Sequence, residues 1–467
     1  MLNNLLSTVV QTYEGFGTPF ELNWLGQFIK ILIESFGSIG LGIIMFTVLL
    51  KLLTLPLDIY SRVSMKKNAL KLDKMRPQLE KLQRQYANDK ALYSQKMQAL
   101  YKKEGYSMMS SCLPTLVTLI VFIVVINQFS NYSRYTNLEM INNMANAYTQ
   151  KIEQVATEDT NGYYVVEKNA EDKIETIYLS NKLFQEDEYF ASLRAAGITQ
   201  TAKDGKTYEA EYTSTDINAC GKLLKEYNEK GYSYYLASEK FTETAGTFAI
   251  NWDGWDKNTI TEQEINKNIT TDVVEFAYEQ YRKENIKPLA REAARLSYVN
   301  DAPSFLWVKN LWVPDLFWKH PVFENLSEYD FYSSLSDSDK NKQAEYAEIT
   351  AGLSEQKAEP NGYLILVVLS IGVMLVSQLI INRMQKPQLE LQSVDGQAAQ
   401  TSKMMMWMMP IMFGFFAFIY TASFSIYMIV SSLLSTAFTL IINKLVEIKF
   451  NKKIEEERLK NDKRFKK

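Results

Sequence analysis

Residues 40–57 read GLGIIMFTVLLKLLTLPL, an apolar run in which Lys51 is the single charged residue. A helix of about 20 such residues spans a bilayer. A cation at mid-membrane depth costs a few kcal/mol or more, so it is kept where it faces water, a partner or a substrate. The alternative is a lysine that snorkels to the headgroups, which from Lys51 requires a reach of about 9 Å to the end of the run. We expect nothing nearby to neutralise Lys51, and the sequence therefore predicts a functional cation.

Three further blocks lack Asp, Glu, Lys and Arg, namely residues 105–133, 360–382 and 404–443. The last has 40 residues, enough for two spans joined by a tight turn. The predicted spans are residues 37–57, 105–133, 360–383, 404–421 and 424–445. The chain is therefore predicted to be an α-helical polytopic membrane protein, although its mean hydropathy is −0.20 and its net charge only −3.

The distribution of basic residues predicts the orientation of these spans. Residues 58–104 contain 12 Lys and Arg against 5 Asp and Glu, and residues 444–467 contain 10 against 5. Residues 131–357 reverse the balance, with 24 against 38. The positive-inside rule puts the N-terminus outside and the C-terminus in the cytoplasm of a multi-pass plasma-membrane protein. The loop at residues 384–403 and the basic tail at residues 446–467 then lie inside.

The N-terminal segment, residues 1–36, is expected to stay outside the cell. It lacks the basic region and the small-residue cleavage site of a signal peptide. Residues 21–36 alternate apolar and polar side chains at helical spacing, which predicts an interfacial helix with Trp24 as an anchor. The two cysteines fall on opposite sides of the membrane, near the inner mouth and in the outer segment, so we expect no disulfide.

Residues 58–104 carry two apolar stripes at helical spacing and predict a cytoplasmic helical hairpin. The first stripe comprises Leu72, Met75, Leu79, Leu82 and Tyr86, and the second Tyr93, Met97 and Leu100. Asn88 and Asp89 can cap the second helix, and Pro77 should bend the first. The basic face includes Arg76, Lys81 and Arg84. This face fits either lipid headgroups or nascent chains and the ribosome, and periodicity does not separate the two.

The outer segment, residues 134–303, is long enough to bury a core of its own. Residues 162–177 predict a β-hairpin, and residues 261–298 predict helices with a break at Pro288, which together indicate an inserted extracellular α+β domain. Residues 304–359 then lead to the third span. Residues 253–264 partly match a calcium loop, but the ligand and glycine positions are wrong, so an ordinary turn that caps a helix is the better interpretation.

Several short motifs occur in the order typical of one membrane-protein family. They are Thr47, Lys51 and Pro56-Leu57 in the first span, Pro77 in the hairpin, Leu100-Tyr101-Lys102, Cys112-Leu113-Pro114, the FLWVKNL of residues 305–311, Met409-Pro410, and Ser423 to Tyr427. On these motifs the chain resembles the YidC/Oxa-type membrane protein insertases over residues 37–133 and 304–445. The chain departs from the family at several points: Lys51 replaces an arginine, residues 107–111 read SMMSS, residues 421–423 replace a Pro-Ser-Gly turn, and Met428 replaces a tyrosine.

The resemblance implies a five-helix insertase core around a water-filled groove that opens to the cytoplasm and the lipid. The residues that it assigns to the groove are Thr47, Lys51, Thr54, Thr118, Ser425 and Tyr427. In this interpretation Lys51 receives the acidic tail of a substrate helix, whose apolar part then enters lipid. For any one of the threonines taken alone, an interhelical hydrogen bond is the favoured interpretation. The implied partners are nascent membrane proteins and the lipid bilayer, with the Sec translocon and the ribosome as further candidates.

Other classes of function fit the sequence less well. The chain has one histidine, no phosphate-binding glycine loop, no metal-ligand cluster and no carboxylate within a predicted span, so we expect no catalytic residues, no metal, no cofactor and no specific nucleic-acid site. An anion or solute transporter is the stronger rival, although the two halves show no repeat. The second alternative function is that of a translocon-associated assembly factor without autonomous insertase activity. The basic tail fits ribosome binding and anionic lipid equally well.

Overall fold

The computed structural model describes residues 8–18, 21–86, 88–106, 109–214, 216–229, 241–250, 261–392, 408, 411–412 and 414–465. The helices of the membrane-proximal part are α1 (Trp24–Glu34), α2 (Ile39–Gln85), α3 (Lys90–Lys103) and α4 (Met109–Thr157). Towards the C-terminus follow α13 (Ile365–Gln392) and α14 (Ala422–Phe465). In this described part, three helices are long and apolar enough to cross a membrane: α2, α13 within Ile365–Met384, and α14 within Ala422–Lys452.

All four long helices pass the ends of the predicted spans, and α13 does so by continuing beyond residue 383 to Gln392. Helix α2 continues through Pro56 and Pro77, α4 continues beyond residue 133 to Thr157, and α14 continues through the basic tail to Phe465. A change from apolar to polar side chains does not interrupt backbone hydrogen bonds, because those depend on φ and ψ and not on hydropathy. Composition therefore predicts where the hydropathy of each helix changes, but it does not predict where the helix ends.

The predicted helical hairpin is formed by the second half of α2 and by α3. Its small core contains the buried Leu72, Met75, Leu79 and Leu100, with Leu82 and Met97 packed against them. Asp89 caps α3, since its Oδ1 accepts a hydrogen bond of 2.9 Å from the backbone N–H of Leu92. The Asp89 cap and the packing of both stripes are therefore confirmed, except that Tyr86 and Tyr93 are not part of this core.

The segment between α4 and α13 combines short strands and helices around one large core. The strands of this segment are β2 (Tyr164–Lys168), β3 (Ile174–Leu179), β4 (Thr199–Lys203), β5 (Lys206–Thr213), β6 (Phe241–Thr244) and β7 (Thr247–Ile250), and β1 (Val9–Val10), which precedes α1 in the chain, pairs with β3. Its helices are α5 (Asn181–Glu186), α6 (Ala191–Ala195), α7 (Ile217–Glu229), α8 (Glu262–Tyr281), α9 (Lys287–Asp301), α10 (Asp337–Lys340), α11 (Gln343–Ile349) and α12 (Ser354–Ala358). The sheets are antiparallel, in the order β1-β3-β2 and as the hairpins β4-β5 and β6-β7.

The predicted elements of this segment are present. Strands β2 and β3 form the expected hairpin, and a π-helical turn, Arg282–Ile286, separates α8 from α9. Pro288 lies in the first turn of α9, where its missing N–H costs no hydrogen bond. Helix α9 packs along the outer half of α4 through the buried Ala290 and Ala294. Most of the calcium-loop candidate, and the predicted motif Met409-Pro410, lie outside the described residues.

Candidate functional site

In the portion of α2 that follows residue 50, the partly buried inner face carries polar side chains beside Leu55, and the exposed outer face is apolar. Lys51, Thr54 and Asp58 are partly buried against the rest of the molecule. Between them, Leu53 is 76 % exposed and Leu57 is 47 % exposed. A helix of a soluble protein shows the opposite arrangement, with its apolar stripe towards the core. The inverted polarity is what a helix shows when lipid lies outside it and a polar space inside.

Asp58 is a charge near Lys51 that the sequence interpretation left out, although the described residues contain no ion pair within 4 Å between the two. It lies seven residues beyond Lys51, about 10 Å along the same face of α2, and the two side chains interact electrostatically. Asp58 lies just beyond the end of the apolar run, but the helix continues through it. A spacing of i, i+7 on a continuing helix was the signal that could have identified Asp58.

Arg62 extends this row of charges and joins α2 to α14. It lies one turn beyond Asp58, and its Nη2 donates a hydrogen bond of 2.9 Å to Oγ1 of Thr439. Thr439 and Thr436 are buried on the face of α14 that packs against α2. Sequence reasoning assigned no role to Arg62, because it was counted among the basic residues of the hairpin.

The predicted groove threonines make hydrogen bonds within their own helix. Oγ1 of the fully buried Thr47 donates to the carbonyl oxygen of Ile43 at 2.7 Å, and Oγ1 of Thr54 donates to that of Lys51 at 3.2 Å. Neither bond crosses between helices, which was the alternative interpretation. Each threonine therefore uses its O–H donor within its own helix. The remaining lone pairs of the hydroxyl oxygen and the methyl group of the side chain face the neighbouring space. The side chain of Thr118 lies outside the described residues.

Ser425 and Tyr427 are buried at the start of α14, close to α4. The ring of Tyr427 lies 5.9 Å from that of Phe129 and 6.4 Å from that of Phe424. Oγ of Ser425 has no hydrogen-bond partner among the described atoms. The same apolar cluster includes Phe46 of α2, so the structure brings these two predicted residues and the start of the Lys51 face into one interhelical region.

The start of α14 is joined to residues 311–313 at the end of the helices that carries the α+β segment, a contact that we call the Trp312 closure. The backbone N–H groups of Ala422 and Ser423, at the start of α14, donate to the carbonyl oxygens of Val313 and Leu311 at 3.1 and 3.0 Å. Trp312 is buried between them, with its ring edge-on to Tyr132 at 5.1 Å. These bonds satisfy donors that a helix N-terminus leaves free, and they hold the segment across the helix ends.

Two polar side chains, which sequence reasoning missed, fasten this closure to α13. The buried carboxylate of Asp315 accepts hydrogen bonds from the backbone N–H groups of Tyr363 and Leu366 at 2.8 and 2.6 Å, where the helix dipole favours a negative charge. Nδ2 of Asn361 lies 3.0 to 3.1 Å from the carbonyl oxygens of Asn310, Val313 and Pro314. Each side chain bonds to backbone groups that lie 47 to 51 residues away in the sequence, and local sequence patterns do not predict contacts at such separations.

The predicted hairpin residues lie at the opposite end. Pro77, Lys81 and Arg84 are exposed, and Nε of Arg76 forms an ion pair of 3.2 Å with Oε1 of Glu80 one turn later. Exposed pairs of this kind contribute about 0.3–0.5 kcal/mol. The basic face of the hairpin is therefore accessible.

The comparisons with known proteins agree with this arrangement. The family model described as 60Kd inner membrane protein matches residues 31–194 and 295–451, more than half of the chain. The chain belongs to this family. It is 36 % identical over 99 residues to the membrane protein insertase YidC of Fusobacterium nucleatum, covering 20 % of this chain and 46 % of that protein. It is 37 % identical over 89 residues to the YidC of Caulobacter vibrioides, covering 19 % and 14 %.

A further relative, the YidC of Rickettsia prowazekii, is 40 % identical over 81 residues, which cover 17 % of this chain and 14 % of that protein. The matched regions thus span less than half of each of these insertases. No solved structure matches the chain. Family membership confirms the resemblance to the YidC/Oxa-type insertases, and with the three apolar helices it identifies a multi-pass membrane protein.

Proposed function

We propose that this chain is a membrane protein insertase, which receives the polar tail of a substrate helix in a hydrophilic groove and releases the helix into lipid. The inverted polarity of α2 carries the proposal, since Lys51, Thr54 and Asp58 face inward and Leu53 and Leu57 face outward. A groove of this kind lowers the cost of moving a polar tail into the membrane, and Lys51 adds attraction for an acidic tail.

The closure around Trp312 supports a groove rather than a channel. A space that is sealed towards one side of the membrane stabilises a tail only part of the way across. The apolar part of the substrate then partitions into lipid by its own transfer free energy, which is favourable by about 0.3–0.6 kcal/mol for each Leu, Ile, Val or Phe. No bond is made or broken in this sequence of steps, and we infer that the chain is not an enzyme.

The topology that goes with this function has five spans. The spans at residues 105–133 and 404–421 are added to the three apolar helices to make five. The α+β segment then lies outside the cell, and the hairpin and the C-terminus lie inside. The asymmetry of basic residues supports this orientation in the plasma membrane. The accessible basic face around Arg76, Lys81 and Arg84 and the helical basic tail support contact with nascent chains, the ribosome or anionic lipid, and the Sec translocon remains a further candidate partner.

Reconstitution into liposomes tests the proposal. The substrate is a protein with a single span and a short acidic tail, and the readout is protection of the tail from external protease. We expect protection by the wild type, and a clear loss in Lys51→Ala. Lys30→Ala serves as the matched control, because Lys30 contacts Tyr135 and Glu139 at the closed end and not the inner face. If neither the wild type nor the control protects the tail, an assembly factor that needs the translocon replaces this proposal. Saturable uptake of a small anion without tail protection indicates a transporter.

A further inference from the structure

The inner face of α2 carries three charges in a row. Lys51, Asp58 and Arg62 follow one another at spacings of seven and four residues, so they share one side of the helix. All three are partly buried, whereas Leu57, Ile59 and Tyr60 of the same turns are exposed. A negative charge thus lies between two positive charges on this side of the helix, and the partly buried Lys66, one turn beyond Arg62, adds a further positive charge.

Arg62 is held in place by its hydrogen bond to Thr439. Asp58 therefore lies between a fixed cation, Arg62, and Lys51. The structure gives no ion pair within 4 Å for Asp58 among the described residues, so its carboxylate interacts with both cations across a wider gap. A charge at such a distance, in a half-buried site, is only partly screened.

We propose that Asp58 is the internal counter-charge of the groove and determines which substrate tails the groove accepts. The inference rests on the proposed insertase function. Asp58 repels a carboxylate that approaches Lys51 and attracts an ammonium or guanidinium group. It therefore weakens the preference of the groove for acidic tails, and it allows tails with a basic residue to enter beside two resident cations.

The first measurement reports the potential at position 51 without any substrate. In a variant in which both native cysteines are replaced by serine, Lys51→Cys is modified with an anionic and a cationic methanethiosulfonate of similar size, and the ratio of the two rates is compared between variants. The ratio is informative because the ionisation of the thiol affects both rates equally. We expect Asp58→Asn to raise the anionic-to-cationic ratio about three- to tenfold, from a charge removed at about 10 Å.

Asp73→Asn is the matched control. It removes the same charge from the same helix at an exposed position, and it should leave the ratio unchanged. Asp58→Glu keeps the charge and should restore a ratio close to that of the parent. An unchanged ratio in Asp58→Asn, or an equal rise in Asp73→Asn, would overturn the proposal.

The second measurement uses the insertase reaction, with three substrates whose tails carry two aspartates, no charge, or one lysine. Asp58→Asn should increase insertion of the acidic tail and decrease insertion of the basic tail, with little change for the neutral one. Equal effects on the three tails contradict the role of Asp58. If the wild type inserts none of them, the insertase proposal fails while the modification rates still decide whether Asp58 governs the potential beside Lys51.

Discussion

At the scale of single residues, Lys51 shows what can be predicted about a site from the sequence alone. Its position in an apolar run was enough to predict an unusual cation, because the cost of burying a charge in a membrane needs no structure to estimate. Its relation to Asp58 and Arg62 required knowing that the helix continues past Leu57. The roles of Asn361 and Asp315 could not be predicted from the sequence, because their partners are backbone groups of segments that are distant in the chain.

Gly42 is a residue at which the close approach of two helices can be tested. A Cβ atom there would overlap the backbone of Ile33, whereas one at Gly372 of α13 would meet nothing within 4 Å. We expect Gly42→Ala to separate α1 from α2 and to cost about 1–3 kcal/mol, as overpacking does. Gly372→Ala, which only improves helix propensity, should be neutral or stabilising by up to about 1 kcal/mol. Thermal unfolding in detergent measures both, and an equal shift in the two variants would show that the α1–α2 contact is not close.

Glu275 gives a pH dependence to the outer segment. Burial, with the neighbouring charge of Asp272, raises the pKa of Glu275 to about 7, against the opposing effect of Arg282. Because the folded-state pKa lies above the unfolded value of about 4.3, the contribution of Glu275 to stability is complete below that value and is lost as the pH rises through 7.

Glu275→Gln should therefore be more stable than the wild type at pH 8, with a smaller difference at pH 5. The free energy of unfolding, measured at both values, provides the check. Glu284→Gln is the control, because it makes the same type of substitution at another glutamate, in the adjacent π-helical turn. The raised pKa of Glu275 would be contradicted if the free energy of unfolding of the wild type rose between pH 5 and pH 8 by as much as that of Glu275→Gln.

At the scale of elements, the sequence predicted the elements whose pattern is local. The apolar stripes of the hairpin, the Asp89 cap, the β2–β3 hairpin and the helix break before Pro288 all follow from the neighbouring residues, and the structure contains each of them. Helix ends were predicted less well. Helices α4 and α14 continue by tens of residues beyond the apolar blocks, because no glycine or proline interrupts them at those points.

The closing segment is the element whose stability we expect to depend on one side chain. Asn361→Ala removes donors to three buried carbonyl groups and an acceptor for the N–H of Asn310, at about 1–3 kcal/mol for each group left without a partner. The N–H groups of Ala422 and Ser423, which bond to the same segment, should then exchange with deuterium faster. Asn341→Ala, at an exposed position, should leave their exchange unchanged. Unaltered exchange in Asn361→Ala would show that Asn361 does not hold the segment.

At the scale of the whole molecule, the described features lie at opposite ends of the long helices and along one side of α2. The α+β segment and the Trp312 closure lie at one end of α4, α13 and α14, and the basic hairpin lies at the far end of α2. Three charged side chains line the inner face of α2 between these ends. The proposed insertase function requires that a substrate tail enter along that face and not along the outer, apolar one.

Neighbouring positions on α2 allow the most direct test of that requirement. A photo-reactive amino acid is placed either at Thr54, on the inner face, or at Leu53, which is 76 % exposed on the outer face. A substrate arrested during insertion carries a label in its polar tail only. We predict crosslinks to the labelled tail from position 54 and not from position 53. Crosslinks from position 53 alone would contradict a polar groove along the inner face of α2.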